Sequence, residues 1–442
     1  MDADDSPRQQ LTQLYFQTIV ELQPGLAVVR ALHSILSGRT INEPLHLLAI
    51  GKAAVPMARA AAAWCDTHRI AIAGGVDVSH QSAGSAPGVV SSYTGDHPQP
   101  GAASQAAAAA IGTYIETQIS SGDRVIVLLS GGASSLIGAP RLGIDSAQYT
   151  ATIAALLCAG LTIDDMNAIR RKLSRWAGGR LGDALLARGA RVNVLVISDV
   201  MGDTLAAIGS GPCVPDRGDR DAIESIVERA HVSGETRASL RAMLAIPVTD
   251  DVTRSRSDGD EIPHQIISSN REACESVLQL ARASGAEALP GSEPIRGDAQ
   301  ACGASIARQL VALRTRSAGR RQRVISCWGG EPTVALPSHN PPAGGRMQAL
   351  ALSAAHWLHT LGAKADRITI LAAGTDGRDG TTDAAGAIVD RETWRAIAAT
   401  GRDPARDLNE FRSHEALATV QALIPAFTSG TNVNDVVIAH IN

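Results

Sequence analysis

The sequence predicts an α/β protein whose strands form a buried parallel sheet with helices on both faces. Two observations carry this. Short runs of branched apolar residues recur along the chain, each followed by a glycine-rich break and an alanine- and leucine-rich helical stretch. The runs are also apolar at consecutive rather than alternate positions, which is how strands covered on both faces read. They fall at 45–50, 125–129, 192–197, 265–267, 324–326 and 368–371. Helix starts are expected at Ser104, ahead of an alanine run, and at Ser269-Asn270, capping 272–283. The rhythm breaks at 250–264, rich in Ser and Asp, and at 314–323, a basic run; both read as solvated connections. The first sets a domain boundary near 245–262, giving domains 1–250 and 251–442. The loop 337–345, with three prolines and two glycines, reads as a mobile lead-in to Arg346.

Composition excludes several classes. A chain of 442 residues with 45% hydrophobic content can bury sizeable cores in two or three domains. A net charge of −4 and only twelve aromatic residues argue against nucleic-acid or membrane-surface binding. Six scattered cysteines form no Cys-x-x-Cys pair, which fits reduced thiols rather than a disulfide framework. The acidic start Met1-Asp2-Ala3-Asp4-Asp5 is wrong for a secretory signal, and no apolar run reaches membrane-spanning length. A soluble cytoplasmic protein is expected, with a homodimer as the oligomer to test.

Of forty basic residues only three are lysine. One, Lys52, follows the first apolar run directly, in Ile50-Gly51-Lys52-Ala53-Ala54. A compact ammonium at the end of a strand suits a phosphate where a planar guanidinium would not. After the second run comes Ser130-Gly131-Gly132-Ala133-Ser134-Ser135, whose small residues let backbone N–H groups approach an anion at a helix start. It is neither a P-loop nor a Gly-x-Gly-x-x-Gly fingerprint. A tight strand-to-helix turn is its plain structural alternative.

The third run ends in Ser198-Asp199-Val200-Met201-Gly202-Asp203, followed by Gly209-Ser210-Gly211. Carboxylates at the carboxyl end of a buried strand need water, a metal or a proton, and ligands of open α/β sheets bind at that edge. A helix cap at Asp203 is the bland alternative. Thr375-Asp376-Gly377-Arg378-Asp379 opens an oxygen-rich loop without EF-hand spacing, better suited to Mg²⁺ held together with nucleotide phosphates. Gly329-Gly330-Glu331, Gly344-Gly345-Arg346 and Gly430-Thr431-Asn432 add polar groups. A second Gly-Gly-Arg at 178–180 shows that this motif alone is weak. Just before it, 167–175 is a basic helix containing Lys172. His97, in Gly95-Asp96-His97-Pro98, reads as a site-lining residue, since no histidine pair has zinc-type spacing.

The order of these segments resembles that of the glycerate 2-kinases with a carboxy-terminal MOFRL domain, a family once often labelled hydroxypyruvate reductases. The resemblance spans nearly the whole chain. It implies a Rossmann-like three-layer amino-terminal domain, a smaller α/β MOFRL-type carboxy-terminal domain and an active site in the cleft between them. It also implies ATP- and Mg²⁺-dependent phosphorylation of D-glycerate to 2-phospho-D-glycerate. Two departures stand out. The family usually continues Gly-Gly-Arg as Asn-Gln-Glu, where this chain has Met347-Gln348-Ala349, leaving Arg346 fewer local partners. Its Ser-Gly-Gly commonly continues Gly-Ser-Ala, here Ala133-Ser134-Ser135.

On this reading Lys52, Arg346 and Asp199 are the catalytic candidates. Gly51, His97, Ser130, Gly131, Gly132, Ser134, Lys172, Ser210, Glu331, Thr375 and Asn432 line the substrate and nucleotide sites, and Asp376 and Asp379 are the metal ligands. Because the motifs divide between the two halves, closure about a hinge at 245–262 is expected. The rivals are phosphorylation at the 3-hydroxyl, a non-enzymatic sugar-acid or nucleotide-binding protein, and an NAD(P)H-dependent hydroxypyruvate reductase. The last lacks its dinucleotide loop.

Overall fold

The computed structural model describes residues 6–38, 41–80, 89–218, 220–247, 261–316, 323–336 and 342–442. Most of the expected hinge and the first half of the 337–345 loop therefore lie outside the described residues. The chain forms two compact units, 24–267 and 1–23 together with 268–442.

The chain begins with α1 (Pro7–Glu21), which belongs to the second unit. The first unit opens with α2 (Pro24–Leu36), β1 (Leu45–Ile50), α3 (Ala54–Thr67), β2 (Ile72–Ser79) and β3 (Val90–Thr94). After α4 (Ala102–Gln118) come β4 (Arg124–Leu129) and the one-turn α5 (Ala133–Leu136). Helices α6 (Ser146–Leu157), α7 (Ile163–Leu173) and α8 (Arg180–Ala187) lead to β5 (Arg191–Ile197). Then α9 (Arg220–Arg229) and α10 (Gly234–Ala245) precede the edge strand β6 (His264–Ser268).

The strand order is β3-β2-β1-β4-β5-β6, with β3 through β5 parallel. In such doubly wound sheets the strand order reverses between the first and fourth strands, and ligands bind beyond the carboxyl ends there. The register pairs Ile50 with Leu129, so β1 and β4 end side by side at that point. Every residue of β1 is buried, as a strand covered on both faces must be. Leu48, Ile50, Val127 and Leu129 pack with Ile111 of α4 and Leu181 and Leu185 of α8. The alternate residues Leu47, Ala49 and Leu128 are equally buried on the opposite face, where α3 packs. A separate small core joins α6, α7, α9 and α10 through Ile153, Ile169, Ile226 and Leu240.

The second unit continues with α11 (Asn270–Ala283), β7 (Glu287–Pro290), β8 (Ile295–Asp298), α12 (Ala299–Arg316), β9 (Val324–Thr333) and α13 (Arg346–Leu361). It ends with β10 (Ile368–Gly374), β11 (Ala384–Asp390), α14 (Thr393–Ala399), α15 (Pro404–Asn409), α16 (Ser413–Ala418), β12 (Leu423–Pro425) and β13 (Asp435–Ile441). The sheet order is β12-β11-β10-β13-β9-β7, with β8 also on β9. Here the expectation of a parallel sheet is corrected. β10 is antiparallel to both β11 and β13, β13 is antiparallel to β9, and only β7 and β8 run parallel to β9. Consecutive apolar residues report burial on both faces, not direction. The connection from Thr375 to Asp383 is also too short for the helical crossover that a parallel neighbour needs.

Helix α1 joins this second unit because Leu11, Leu14, Tyr15 and Ile19 are buried and α1 packs on α11 and β10. The sequence boundary assigned it to the amino-terminal domain; the contacts place it with the carboxy-terminal one. One helix start differs: α4 begins at Ala102 after Gly101, with Ser104 inside the helix. The other holds in position, with Ser269 the N-cap of α11, although its side chain makes no bond to the helix N–H groups.

Candidate active site

In the first unit the site is built on the reversal of strand order. Gly51 N donates to Val78 O of β2 (3.1 Å), and Lys52 N donates to Gly131 O (3.0 Å), tying the loop after β1 to the loop after β4. Ser130 N donates to Ile50 O (3.0 Å), and Ser130 Oγ accepts from Ala53 N (3.0 Å). The Lys52 side chain is exposed at this edge.

The loop glycines are there for closeness. A Cβ on Gly131 would stand 2.0 Å from Asp199 Oδ2, so the carboxylate after β5 lies directly against the loop. Gly132, at φ +84°, would carry its Cβ 3.2 Å from His97 Cδ2 and 3.3 Å from Lys52 Cε. Lys52, His97, Asp199 and the 130–134 loop therefore form one cluster. His97 is set by its neighbour: Asp96 N donates to Ser104 Oγ (2.8 Å), and Ser104 N donates back to Asp96 Oδ2 (3.1 Å). Partial burial, then the charges of Lys52, His80 and Arg170, hold the His97 pKa below the usual histidine range. Three basic side chains thus surround His97, in keeping with a place that receives an anion.

Arg170 is the group the sequence reading missed. It is 6% exposed, its Nη1 donates to Ser134 Oγ (3.3 Å), and burial lowers its pKa. Its helical neighbour Asn167 accepts from Ser210 Oγ (3.0 Å) through Oδ1 and donates to Ala207 O (3.4 Å). The signal was available: Met166, Asn167, Ile169, Arg170 and Leu173 make up the buried stripe of α7. Lys172 lies off that stripe. It pairs with Asp216 (2.8 Å) and donates to Gly218 O (3.1 Å). Arg180, of the second Gly-Gly-Arg, is spent on the carbonyls of Arg171, Ser174 and Arg175. Asp203 caps no helix and sits in a left-handed turn (φ +54°).

The second unit carries its own cluster. Arg346, first residue of α13, contacts Asp435 Oδ2 through Nε (2.6 Å) and Oδ1 through Nη2 (3.3 Å), and reaches Glu331 through Nη1 (2.8 Å). Burial works against the Arg346 charge, but Asp435 and Glu331 more than offset it and raise its pKa. Burial pushes the Asp435 carboxyl up to about 7, with Arg346 opposing. Asp435 begins β13, and nothing in its local sequence signals the partner eighty-nine positions earlier. A Cβ on Gly374 would lie 2.9 Å from Asp376 Oδ1 and 3.4 Å from Asp435 Oδ1, so these two acids border one spot at the end of β10. Asp376 is exposed there.

Asp379 is corrected from metal ligand to helix cap. Its oxygens accept Met347 N (3.1 Å) and Gln348 N (2.8 Å), the orphan donors of the first turn of α13, and the residue is 2% exposed. Thr375 is likewise internal: its Oγ1 donates to Asn434 O (2.7 Å) and accepts from Val433 N (2.9 Å). Asn432 is exposed, with Oδ1 accepting from Asn434 N (3.1 Å). Among the described residues no group of three His, Cys, Asp or Glu is arranged to hold a metal ion.

Residues 10–245 match a family described as a domain of unknown function, DUF4147, and residues 324–435 match the MOFRL family. The chain is 32% identical to the glycerate 2-kinase of Pyrococcus horikoshii over 90% of its own length and 88% of that protein's. The chain belongs to the glycerate 2-kinase family. The D-glycerate 2-kinase of Thermotoga maritima is 33% identical over 73% of this chain and 74% of its own. A putative hydroxypyruvate reductase of Agrobacterium vitis is 34% identical over 71% and 78%. The crystal structure of glycerate kinase from Thermotoga maritima superposes with a TM-score of 0.84 at 30% identity, covering 98% of this chain and 99% of that one. Within this glycerate 2-kinase chain the departures after Arg346 have a structural answer. Met347 (0% exposed) and Ala349 (5%) point into the apolar core, and Arg346 takes its acidic partners from β9 and β13 instead.

Proposed function

We propose that the protein transfers the γ-phosphoryl group of ATP to the 2-hydroxyl of D-glycerate, with Mg²⁺ as the metal. The observation that carries this is the convergence of Lys52, His97, Arg170 and the 130–134 loop where the strand order reverses. Phosphoryl transfer asks for positioning and charge neutralisation rather than covalent help, and this cluster offers cations and small residues at one point. Lys52 and Arg170 hold phosphate oxygens, with loop N–H groups beside them. Asp199, pressed against Gly131, orients the attacking hydroxyl and takes its hydrogen bond. Arg346, aimed by Asp435 and Glu331, holds the glycerate carboxylate or a phosphate through its planar fork.

Asp376 and Asp435 fit Mg²⁺ in the manner usual for nucleotide kinases, one or two carboxylates completed by phosphates and water. When bound there, the ion neutralises charge on the phosphate oxygens. The Rossmann-like, doubly wound first unit supports nucleotide binding. Cytoplasmic location and a homodimeric state belong to the same reading; gel filtration tests the second.

The sheet order does favour one rival, since it is that of dinucleotide-binding domains. The loop after β1, however, carries a single glycine and a lysine where the dinucleotide fingerprint needs three glycines. Incubation with D-glycerate, ATP and Mg²⁺ is expected to give ADP and a 2-phosphate identified by NMR. NADH consumed with hydroxypyruvate, and no ADP, would overturn the kinase; a 3-phosphate would overturn the regiochemistry.

A further inference from the structure

A cavity of about 540 Å³ opens in the first unit between the second half of α4, the 140–146 loop and α8. None of the groups placed in the active site lines it. Its size is that of a small-molecule site. Its apolar wall is Ile115, Leu142, Trp176 and Ala187, and four arginines, 141, 175, 180 and 188, face two acids, Glu116 and Asp183.

The arginines are not equivalent. Arg141, 3% exposed, donates to the carbonyls of Lys172, Ile246 and Pro247, and Arg180 is spent on carbonyls as described. Arg175 differs. Its guanidinium stacks over the Trp176 ring, 4.7 Å from the centroid, and has no hydrogen-bond or ion-pair partner among the described residues. Gly112 makes room for it, since a Cβ there would lie 2.6 Å from Arg175 Nη2. Arg188 donates through Nε to Ile119 O (3.0 Å). A guanidinium held over an indole at the wall of a cavity is pre-organised for a carboxylate or phosphate.

The walls are also wired to the active site. The 140–146 loop follows α5, which carries Ser134, and Arg175 follows α7, which carries Asn167 and Arg170. These two walls are bonded to each other: Arg141 N donates to Leu173 O (2.9 Å) and Arg175 N to Ala139 O (2.7 Å), with a β-bridge between Pro140 and Ser174. A ligand seated here grips both segments that meet at the Ser134–Arg170 bond.

We propose that this cavity is a second, regulatory site for a compact organic anion, a carboxylate or phosphate head on an apolar body, whose binding alters turnover at the catalytic cluster. The test uses phenyl phosphate and phenylacetate as probes, which distinguish the two head groups, with inorganic phosphate and benzyl alcohol as head-only and body-only controls. Calorimetry on the wild type, Arg175→Gln and Ala187→Trp is paired with steady-state kinase assays on each. The first variant removes the free charge and the second fills the cavity from an exposed position.

At least one probe is expected to bind one per chain, and about tenfold or more weaker in both variants. Both variants keep their basal kcat, and the probe shifts kcat or KM in the wild type only, without competing with ATP or glycerate. Equal binding in all three proteins, no binding of either probe, or competition with a substrate would overturn the site. Inorganic phosphate binding as tightly as the probes would overturn the apolar half of the assignment. Binding with unchanged kinetics would overturn its regulatory role.

Discussion

At Lys52 the side chain leaves a strand end, passes Gly132 and reaches a spot shared with His97. A guanidinium there would keep the charge but needs more room and a flat approach. Lys52→Arg is therefore expected to lose nearly as much kcat as Lys52→Ala, since displacing a reacting group by about 1 Å costs roughly a hundredfold. Retention of most kcat by the arginine variant in steady-state assays would show that charge alone suffices. The basic helix allows a sharper comparison. Arg170→Gln is expected to raise the KM for ATP about tenfold or more by removing a buried charge from the 130–134 loop. Lys172→Gln, which breaks a partly buried pair with Asp216 away from the 130–134 loop, should stay within about threefold of wild type in kcat and KM. Kinetics of the two variants side by side decides which face of α7 serves the reaction. Lys52, Ser130 and Asp199 were legible because each stands right after an apolar strand, where chemistry collects in such sheets. Arg170 and Asp435 were not, because one depends on a helix phase and the other on a partner far away in sequence.

Among the elements, α13 shows how a catalytic candidate is aimed by its helix. Arg346 is its first residue, and Asp379 holds the N–H groups of the next two. Removing the cap should cost about 1–2 kcal/mol of stability and lower kcat by letting Arg346 swing, while leaving the Mg²⁺ dependence of the rate unchanged. Chemical denaturation and Mg²⁺ titration of Asp379→Ala check this; a weakened Mg²⁺ response would return Asp379 to the metal. The strands divide the same way into legible and hidden. β1, β4, β5, β9 and β10 announce themselves by branched apolar runs. β2 and β11 are masked by glycine and alanine, as at Gly74-Gly75 and Ala384-Ala385-Gly386, and are recognisable only from the neighbours that cover them. β13 hides behind the polar segment leading into it, although every residue of 436–441 is buried.

For the molecule as a whole, acid sensitivity has an identifiable source in β13. His440 is 1% exposed, and burial, helped by Arg323, pushes its pKa down to about 4. The unfolded chain binds that proton near pH 6.5 and the folded one does not. Its share of stability is therefore full above about pH 6.5 and lost as pH falls toward 4, up to about 3 kcal/mol. Unfolding midpoints of His440→Leu should fall less than those of the wild type between pH 7 and 5. The division into units makes a second demand. Residues 24–267 contain a whole sheet and should fold as an isolated fragment, whereas 268–442 should show native circular dichroism only when residues 1–23 are supplied, because Tyr15 and its neighbours cover its core. The overall α/β class was legible because burial leaves a periodic trace; the division was not, since a helix's partner across two hundred residues leaves none. β13 lies between β10 and β9, in the middle of the second sheet, and is the last strand in chain order. On the ribosome the first unit can therefore close while the chain is still growing, but the second cannot assemble until residue 441 has emerged. Throughout that interval α1, made first, waits with its apolar side uncovered, a nascent surface for chaperones to hold.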